Sequence, residues 1–264
     1  MKSHFYRVIL LALGGTALVS TAARADGGDA DLALDRGEGI LEDANLDHAW
    51  LMPTGLTQPR GAWKVSDTEL LFLGLSYGVT DDLGVTVGGM IPVVDTTTGW
   101  VTAKLRFLQV GRLHVAAQGG ALVAHTAAGV DDFDDPVAES NRVLPTVGLA
   151  ASVCLDVACR SLLGGYGGAV IGLGEEGNVL GLFGASAILH LTGPLKLMIE
   201  ADQGNQLDWP GDDAGFFLFY GVRLTGRSFS ADLGAMSGVA GAELSDGEAG
   251  VAMLPWLKFA YRAL

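Results

Sequence analysis

Apolar and polar residues alternate with period two over much of the chain, and tight turns alternate with long acidic joints. Beyond the N-terminus no stretch is apolar for long enough to form a membrane helix. Together these features predict an all-β chain: an antiparallel up-and-down transmembrane β-barrel of about 12 strands, with short turns at one end and longer acidic loops at the other.

The N-terminus sets the compartment. Lys2 and Arg7 frame a basic region, Val8 to Val19 are mostly apolar, and Ala23-Arg24-Ala25 gives the small-x-small pattern of a cleavage site. These predict a signal peptide over 1–25, removed before Asp26. Its apolar run is about a dozen residues, short of the roughly 20 that a spanning helix needs. Cleavage takes away Lys2, Arg7 and Arg24 but no acid, so the exported chain is more negative than the −14 of the whole. Such a charge repels polyanions and excludes nucleic acid as a partner. Hydrophobic residues make up 49% and mean hydropathy is +0.37, so the apolar surface must lie in a large core or face lipid. The 39 glycines favour strands and turns over helices.

Residues 26–47 are acidic, Gly-rich and aperiodic, and read as a periplasmic extension. The barrel is expected over 48–264, with strands at 49–57, 62–78, 82–91, 99–108, 112–124, 143–154, 160–173, 179–191, 195–203, 214–225, 228–238 and 252–263. Val101, Ala103, Leu105 and Phe107 share one face, opposite Thr102, Lys104 and Arg106. Leu195, Leu197 and Ile199 oppose Lys196, Glu200 and Asp202; Leu257, Phe259 and Tyr261 oppose Lys258 and Arg262. The second strand breaks the rule, because Asp67 and Glu69 share a parity with Leu71 and Leu73; a bulge or an inward apolar patch is expected there.

Tight joints fall at Thr80–Leu83, Gln109–Arg112, Leu155–Ala158, Thr192–Pro194 and Thr225–Ser228. The long acidic ones are His125–Asn141, Gly204–Ala214 and Ala240–Gly250, while Gln58–Gly61 and Glu175–Asn178 are short for outer connections. An even strand count returns both termini to the periplasmic side. Trp63, Trp100 and Trp256 are expected at the loop ends of their strands, and Tyr77, Phe107 and Tyr261 at the turn ends, as two interfacial aromatic belts.

The stretch Glu69–Pro92 resembles a family of Gram-negative outer-membrane β-barrel proteins of unassigned function, as do Met52–Gly55, Ser230–Gly234 and Pro255–Arg262. The resemblance runs over most of 49–264. It implies an outer-membrane barrel, inserted by the barrel assembly machinery into outer-membrane lipid, and supplies no reaction. Such chains usually end on an aromatic in phase with the preceding Tyr; here Ala263 holds that phase.

Cys154 and Cys159, the two cysteines, flank a tight turn and are candidates for a disulfide in an oxidising periplasm, with two buried thiols as the alternative. The run Asp131–Asp135 offers carboxylates to a hard cation but lacks the EF-hand order, and reads as a solvated loop. His48, His114, His125 and His190 have no GxSxG context. A barrel hydrolase would require a Ser/His pair on adjacent strands, and the chain is expected not to be an enzyme and to carry no cofactor or metal. The functional candidates are the charges on the polar parity, expected to face the lumen: Lys104, Arg106, Lys196, Glu200, Asp202, Arg223, Asp232, Lys258 and Arg262. Asp232 beside Arg223 suits a cross-strand pair. These charges fit a passive channel or transport component for small solutes. They also fit a structural or interaction barrel with a closed lumen, acting through its acidic outer loops. A soluble exported all-β protein is the alternative fold.

Overall fold

The computed structural model describes residues 43–90, 96–126, 129–130, 136–137, 140–173, 178–206, 215–240 and 252–264. The strands are β1 (Trp63–Thr68), β2 (Phe72–Gly78), β3 (Leu83–Met90), β4 (Thr96–Val110), β5 (Leu113–Thr126), β6 (Gly129–Val130), β7 (Pro136–Val137), β8 (Ser140–Cys154), β9 (Leu162–Leu173), β10 (Asn178–Thr192), β11 (Leu195–Gln206), β12 (Gly215–Thr225), β13 (Phe229–Ala240) and β14 (Ala252–Ala263). Twelve of them close into one antiparallel barrel, in which each pairs with its neighbour in sequence and β14 returns to β1; β6 and β7 form a separate small ribbon between β5 and β8. Closure leaves no sheet edge exposed.

The strand count agrees with the sequence reading, but two of its members differ. Residues 49–57 are not a strand of the wall, and 62–78 is two strands rather than one. The break falls at Glu69 and Leu70, both at positive φ (59° and 57°), so the chain reverses where the apolar parity fails. Asp67 and Leu73 are register partners across that turn, which explains their shared parity without a bulge. The joint at 58–61 therefore lies at the turn end: Gly61 N–H donates to Gly78 O, and Arg60 N–H to the Asp81 carboxylate. β1, β2 and β3 are the shortest walls, at 6, 7 and 8 residues, so the described rim is lowest there.

Side chains sort by parity into two unlike faces. Val65, Leu73, Val87, Val101, Val123, Leu149, Leu163, Phe183, Ile199 and Leu233 stand exposed on the outer surface, while Lys64, Lys104, Lys196, Glu200, Arg223, Asp232, Lys258 and Arg262 are buried inside. A water-soluble β-barrel has the opposite arrangement. At the turn end, Trp63, Phe107, Phe229 and Tyr261 are exposed, and the Trp63 ring packs tilted against Tyr77 at 4.4 Å, so Trp63 belongs to the turn-end belt. Trp256 faces inward, buried against Phe219 at 5.2 Å. Trp100 also leans inward, lying over Gly88, because these positions carry the lumen parity of their strands.

Cys154 and Cys159 are joined in a disulfide across the turn between β8 and β9. With only five residues of sequence separation, loop-closure entropy allows it about 2 kcal/mol. Replacing both cysteines by serine is expected to lower the stability of the vesicle-inserted barrel by about that amount, read from urea unfolding, with the fold retained.

A candidate functional site inside the barrel

The segment from Asp43 to Gln58 enters the barrel from the turn end, reverses inside it and returns to begin β1. Its entry is fixed by Ala44 N–H donating to Gly226 O, in the β12–β13 turn. Its exit is fixed by the Thr57 hydroxyl donating to Asp81 O, in the β2–β3 turn. The reversal is held within the segment by Ala49 N–H to Met52 O, Thr54 N–H to Asp47 O and the Thr54 hydroxyl to Leu46 O. Asp43 to Asp47, assigned to the extension by their composition, are buried within this plug.

A segment without a ladder partner leaves its peptide groups unpaired, and in a buried site each must be satisfied by side chains. The wall does so with charge. At the tip, one Glu200 oxygen accepts Trp50 N–H (2.8 Å) and the other accepts Leu51 N–H (2.8 Å) and Met52 N–H (3.2 Å). The carbonyls are met by cations. Lys258 Nζ donates to Trp50 O (2.6 Å), and Lys104 Nζ to Asp47 O (2.8 Å) and Thr54 O (3.2 Å). Arg262 donates to Asp43 O (3.1 Å). Arg223 donates to Asn45 O, His48 O and Ala49 O, and its other edge grips Asp232 through two bonds of 2.6 and 2.8 Å. The spacing-based pairing of Arg223 with Asp232 is thus present, as the brace that aims Arg223 at the plug.

Two plug carboxylates complete the arrangement. Asp43 accepts from Lys196 at 2.8 Å and stands 3.5 Å from Arg223; Asp47 accepts from Lys64 at 2.6 Å. Burial pushes both carboxyls up, but Lys196 and Arg223 at Asp43, and Lys64, His48 and Lys104 at Asp47, outweigh it and hold them below the ordinary carboxylate range. For His48, burial outweighs the pull of Asp47 and, helped by the Lys64 charge, brings the ring down to about 3, so it is neutral at physiological pH. Lys64 was missed from the sequence, because the broken parity after Asp67 hid which face of its strand is inward.

Packing adds to this polar clamp. Trp50 is fully buried, with Leu56 and the disulfide, in a cluster that includes Ile188, Met198, Phe219, Met236 and Trp256. The indole lies over Gly234, where a Cβ would stand 2.9 Å from the ring. Above the tip, Met52 packs with Leu122, Leu144, Tyr166, Val170 and Leu182. The turn-end half of the barrel thus holds both the wall charges and the apolar cluster around the disulfide, and a second apolar cluster surrounds Met52.

The other candidates fall elsewhere. Arg106 is paired with Asp82 of the β2–β3 turn (2.6 and 2.9 Å) and also donates to Asp81 O there. Asp202 is buried beside the tip, two residues from Glu200 on β11, and the two carboxyls are hydrogen-bonded to each other. Asp131–Asp135 lie outside the described residues. His114 and Ser152 are direct cross-strand partners on β5 and β8, both buried, with Gly55 N–H donating to the Ser152 hydroxyl. The Ser/His juxtaposition that a barrel hydrolase requires is thus present in register, beneath the plug.

No family model matches the chain, and no curated protein does. Similar solved structures include the outer-membrane expressed OmpT of Vibrio cholerae (13% identity, TM-score 0.40, 73% of this chain and 64% of that chain). They also include a NanC porin (10%, TM-score 0.45, 77% and 99%) and LpxR from Salmonella typhimurium (10%, TM-score 0.42, 76% and 98%). The chain thus spans just under two thirds of the OmpT structure. At these identities the likeness is one of fold. The expectation that the protein is not an enzyme is corrected here. The solved structures similar to it include LpxR as well as a porin, and β5 and β8 set His114 opposite Ser152 in register.

Glu200→Gln removes the charge from three hydrogen bonds, each worth about 1.5–3 kcal/mol when charged. Amide exchange at Trp50, Leu51 and Met52 should accelerate roughly tenfold or more, while strand amides stay protected. Because Asp43 and Asp47 are depressed, their contribution is complete above the ordinary carboxylate value and is lost only as pH falls through their lower folded values. Protection of residues 44–48, referenced to the strands, is therefore expected to persist as pH falls from about 7 to about 4.

Proposed function

We propose that the protein is an outer-membrane barrel stoppered from the periplasmic side by its own residues 43–58, and that it is a transport component for small solutes that opens when this plug moves. One observation carries the reading: Glu200 and six wall cations (Lys64, Lys104, Lys196, Arg223, Lys258 and Arg262) are bonded to the plug. The same charges in an open pore would face water. A permanently open channel does not fit this occupancy, and the closed-lumen alternative differs from ours only in whether the plug is ever released.

The membrane setting is supported by the reversed faces, with apolar side chains exposed outside and charges buried inside, and by the turn-end aromatic belt. The signal peptide expected from the sequence, the resemblance to Gram-negative outer-membrane barrels and the short-turn, long-loop asymmetry agree with it.

Two measurements test the proposal. In planar bilayers the intact chain is expected to be silent or to open rarely, whereas a chain beginning at Gln58 gives discrete conductance steps, and Glu200→Gln raises opening frequency. Equal conductance of intact and truncated proteins would remove the plug from the function. The lipid setting is tested with Leu149→Arg, on the outer face at 55% exposure. A lipid-facing position predicts a loss of about 2–4 kcal/mol in vesicle-inserted stability; a change within about 0.5 kcal/mol, as at a wet surface, would contradict it.

A further inference from the structure

The plug does not fill the lumen on every side. Between it and the wall formed by β2 to β5 lies a small cavity of about 20 Å³, room for a water molecule. Asp47 and Gln58 line it from the plug, and Ser76, Thr86, Thr102 and Gln118 from the wall.

Hydroxyls and amides dominate this lining. The Ser76 and Thr86 hydroxyls share one hydrogen bond (2.8 Å). Gln58 is 2% exposed and spends its amide N–H groups on Ala44 O and the Asp47 carboxylate. Its carbonyl oxygen meets no donor among the described residues, so a buried acceptor is left for an occupant to satisfy. The charges in the lining are already answered: Lys104 donates to Asp47 O and Thr54 O, and Asp47 accepts from Lys64. An ion would find no spare charge here to replace its hydration shell. A hydroxyl compound exchanges its bonds with water for bonds with these groups at little cost.

Strand register sets the two ends of the cavity. Ser76, Thr86 and Thr102 are partners across β2, β3 and β4, and the next inward row away from the turn end is Gly74, Gly88 and Trp100. The Trp100 ring lies across Gly88, where a Cβ would stand 2.3 Å from it, and it packs against the cluster around Met52. The indole therefore roofs the cavity on the far side. Toward the turn end the cavity is lined by Gly84, the partner of Lys104. A Cβ there would meet only Tyr77 O, at 3.6 Å, so space opens directly off the backbone.

We infer that small uncharged hydroxylated solutes, of the size and chemistry of glycerol, pass beside the plug along β2 to β4, and that Trp100 is the side chain that gates them. The inference rests on the plugged-barrel reading, and names the solute class and the side of the lumen on which passage occurs. With the indole on Gly88 the cavity holds water; a polyol advances when the indole swings away and leaves the slot between Gly74 and Gly88 open.

The test uses the full exported chain in liposomes, with glycerol influx read by stopped-flow light scattering and ion passage read in planar bilayers. Trp100→Ala should speed glycerol influx severalfold, while the bilayers stay as silent to potassium chloride as with the wild type. Adding Gly84→Leu, which fills the cavity from the wall, should return influx to that of protein-free liposomes, and adding Gly84→Ala should do so in part. Heat-dependent gel mobility verifies folding, and Gly84→Ala carries the test if Gly84→Leu does not fold. Influx that Trp100→Ala leaves at the wild-type rate, or that neither Gly84 variant reduces, overturns the route. Potassium chloride steps that appear together with glycerol influx in Trp100→Ala overturn the solute class. Equal conductance of the intact chain and the chain beginning at Gln58 overturns the plugged-barrel reading instead.

Discussion

Everything in this molecule turns on how a barrel accommodates six buried cations. Lys64, Lys104, Lys196, Arg223, Lys258 and Arg262 point into a space where the wall offers three acids, Glu200, Asp202 and Asp232. An unanswered buried charge costs several kcal/mol. The plug answers with two carboxylates and a run of carbonyl oxygens that have no strand to pair with. Each partner cures the other's defect: the cations need acceptors, and an aperiodic segment needs donors. Glu200 supplies the reverse polarity for the three amides at the tip. The plug is thus held by complementarity in which both sides lose if it leaves.

That arrangement explains where the wall is charged. Charges stand where the plug backbone must be caught, beside the apolar cluster that takes Trp50 and the disulfide. Beyond the tip the lining can be apolar, and Met52 packs there with Leu182 and Tyr166. Glycines are placed where large groups cross the wall, as Gly234 beneath the Trp50 ring. A plug held this way could leave only by exchanging partners, since water or a solute would have to replace many bonds.

Much of the wall was legible in the sequence. Period two assigned Lys104, Lys196, Arg223, Asp232 and Lys258 to one face without knowledge of their partners, and turn chemistry located most joints. What was not legible was the plug. Residues 49–57 alternate enough to pass for a strand, yet their peptide groups are claimed by side chains far along the chain, from Lys104 to Lys258, as the Asp43 carbonyl is by Arg262. No local pattern reports a bond 219 residues away. The Glu69–Leu70 reversal was hidden because neither residue is a usual turn former at positive φ. The shift of a strand out of the wall and the splitting of another cancelled, so the total was right although two assignments were not. Trp63, Trp100 and Trp256 were misplaced for the same reason, being judged by distance along strands whose limits or inward parity differed.

The most direct test of the occupied lumen is a cross-link between plug tip and wall in the native membrane. Met52 and Gly184 suit it, since a Cβ at 184 would lie 3.2 Å from Met52 Cγ. With Met52→Cys and Gly184→Cys together, mild oxidation should join the two sites nearly completely, detected by mass spectrometry of the digested barrel, while either single variant yields none. If the two thiols remain separate and both react freely with a water-soluble maleimide, the lumen is not held by residues 43–58 and the account fails.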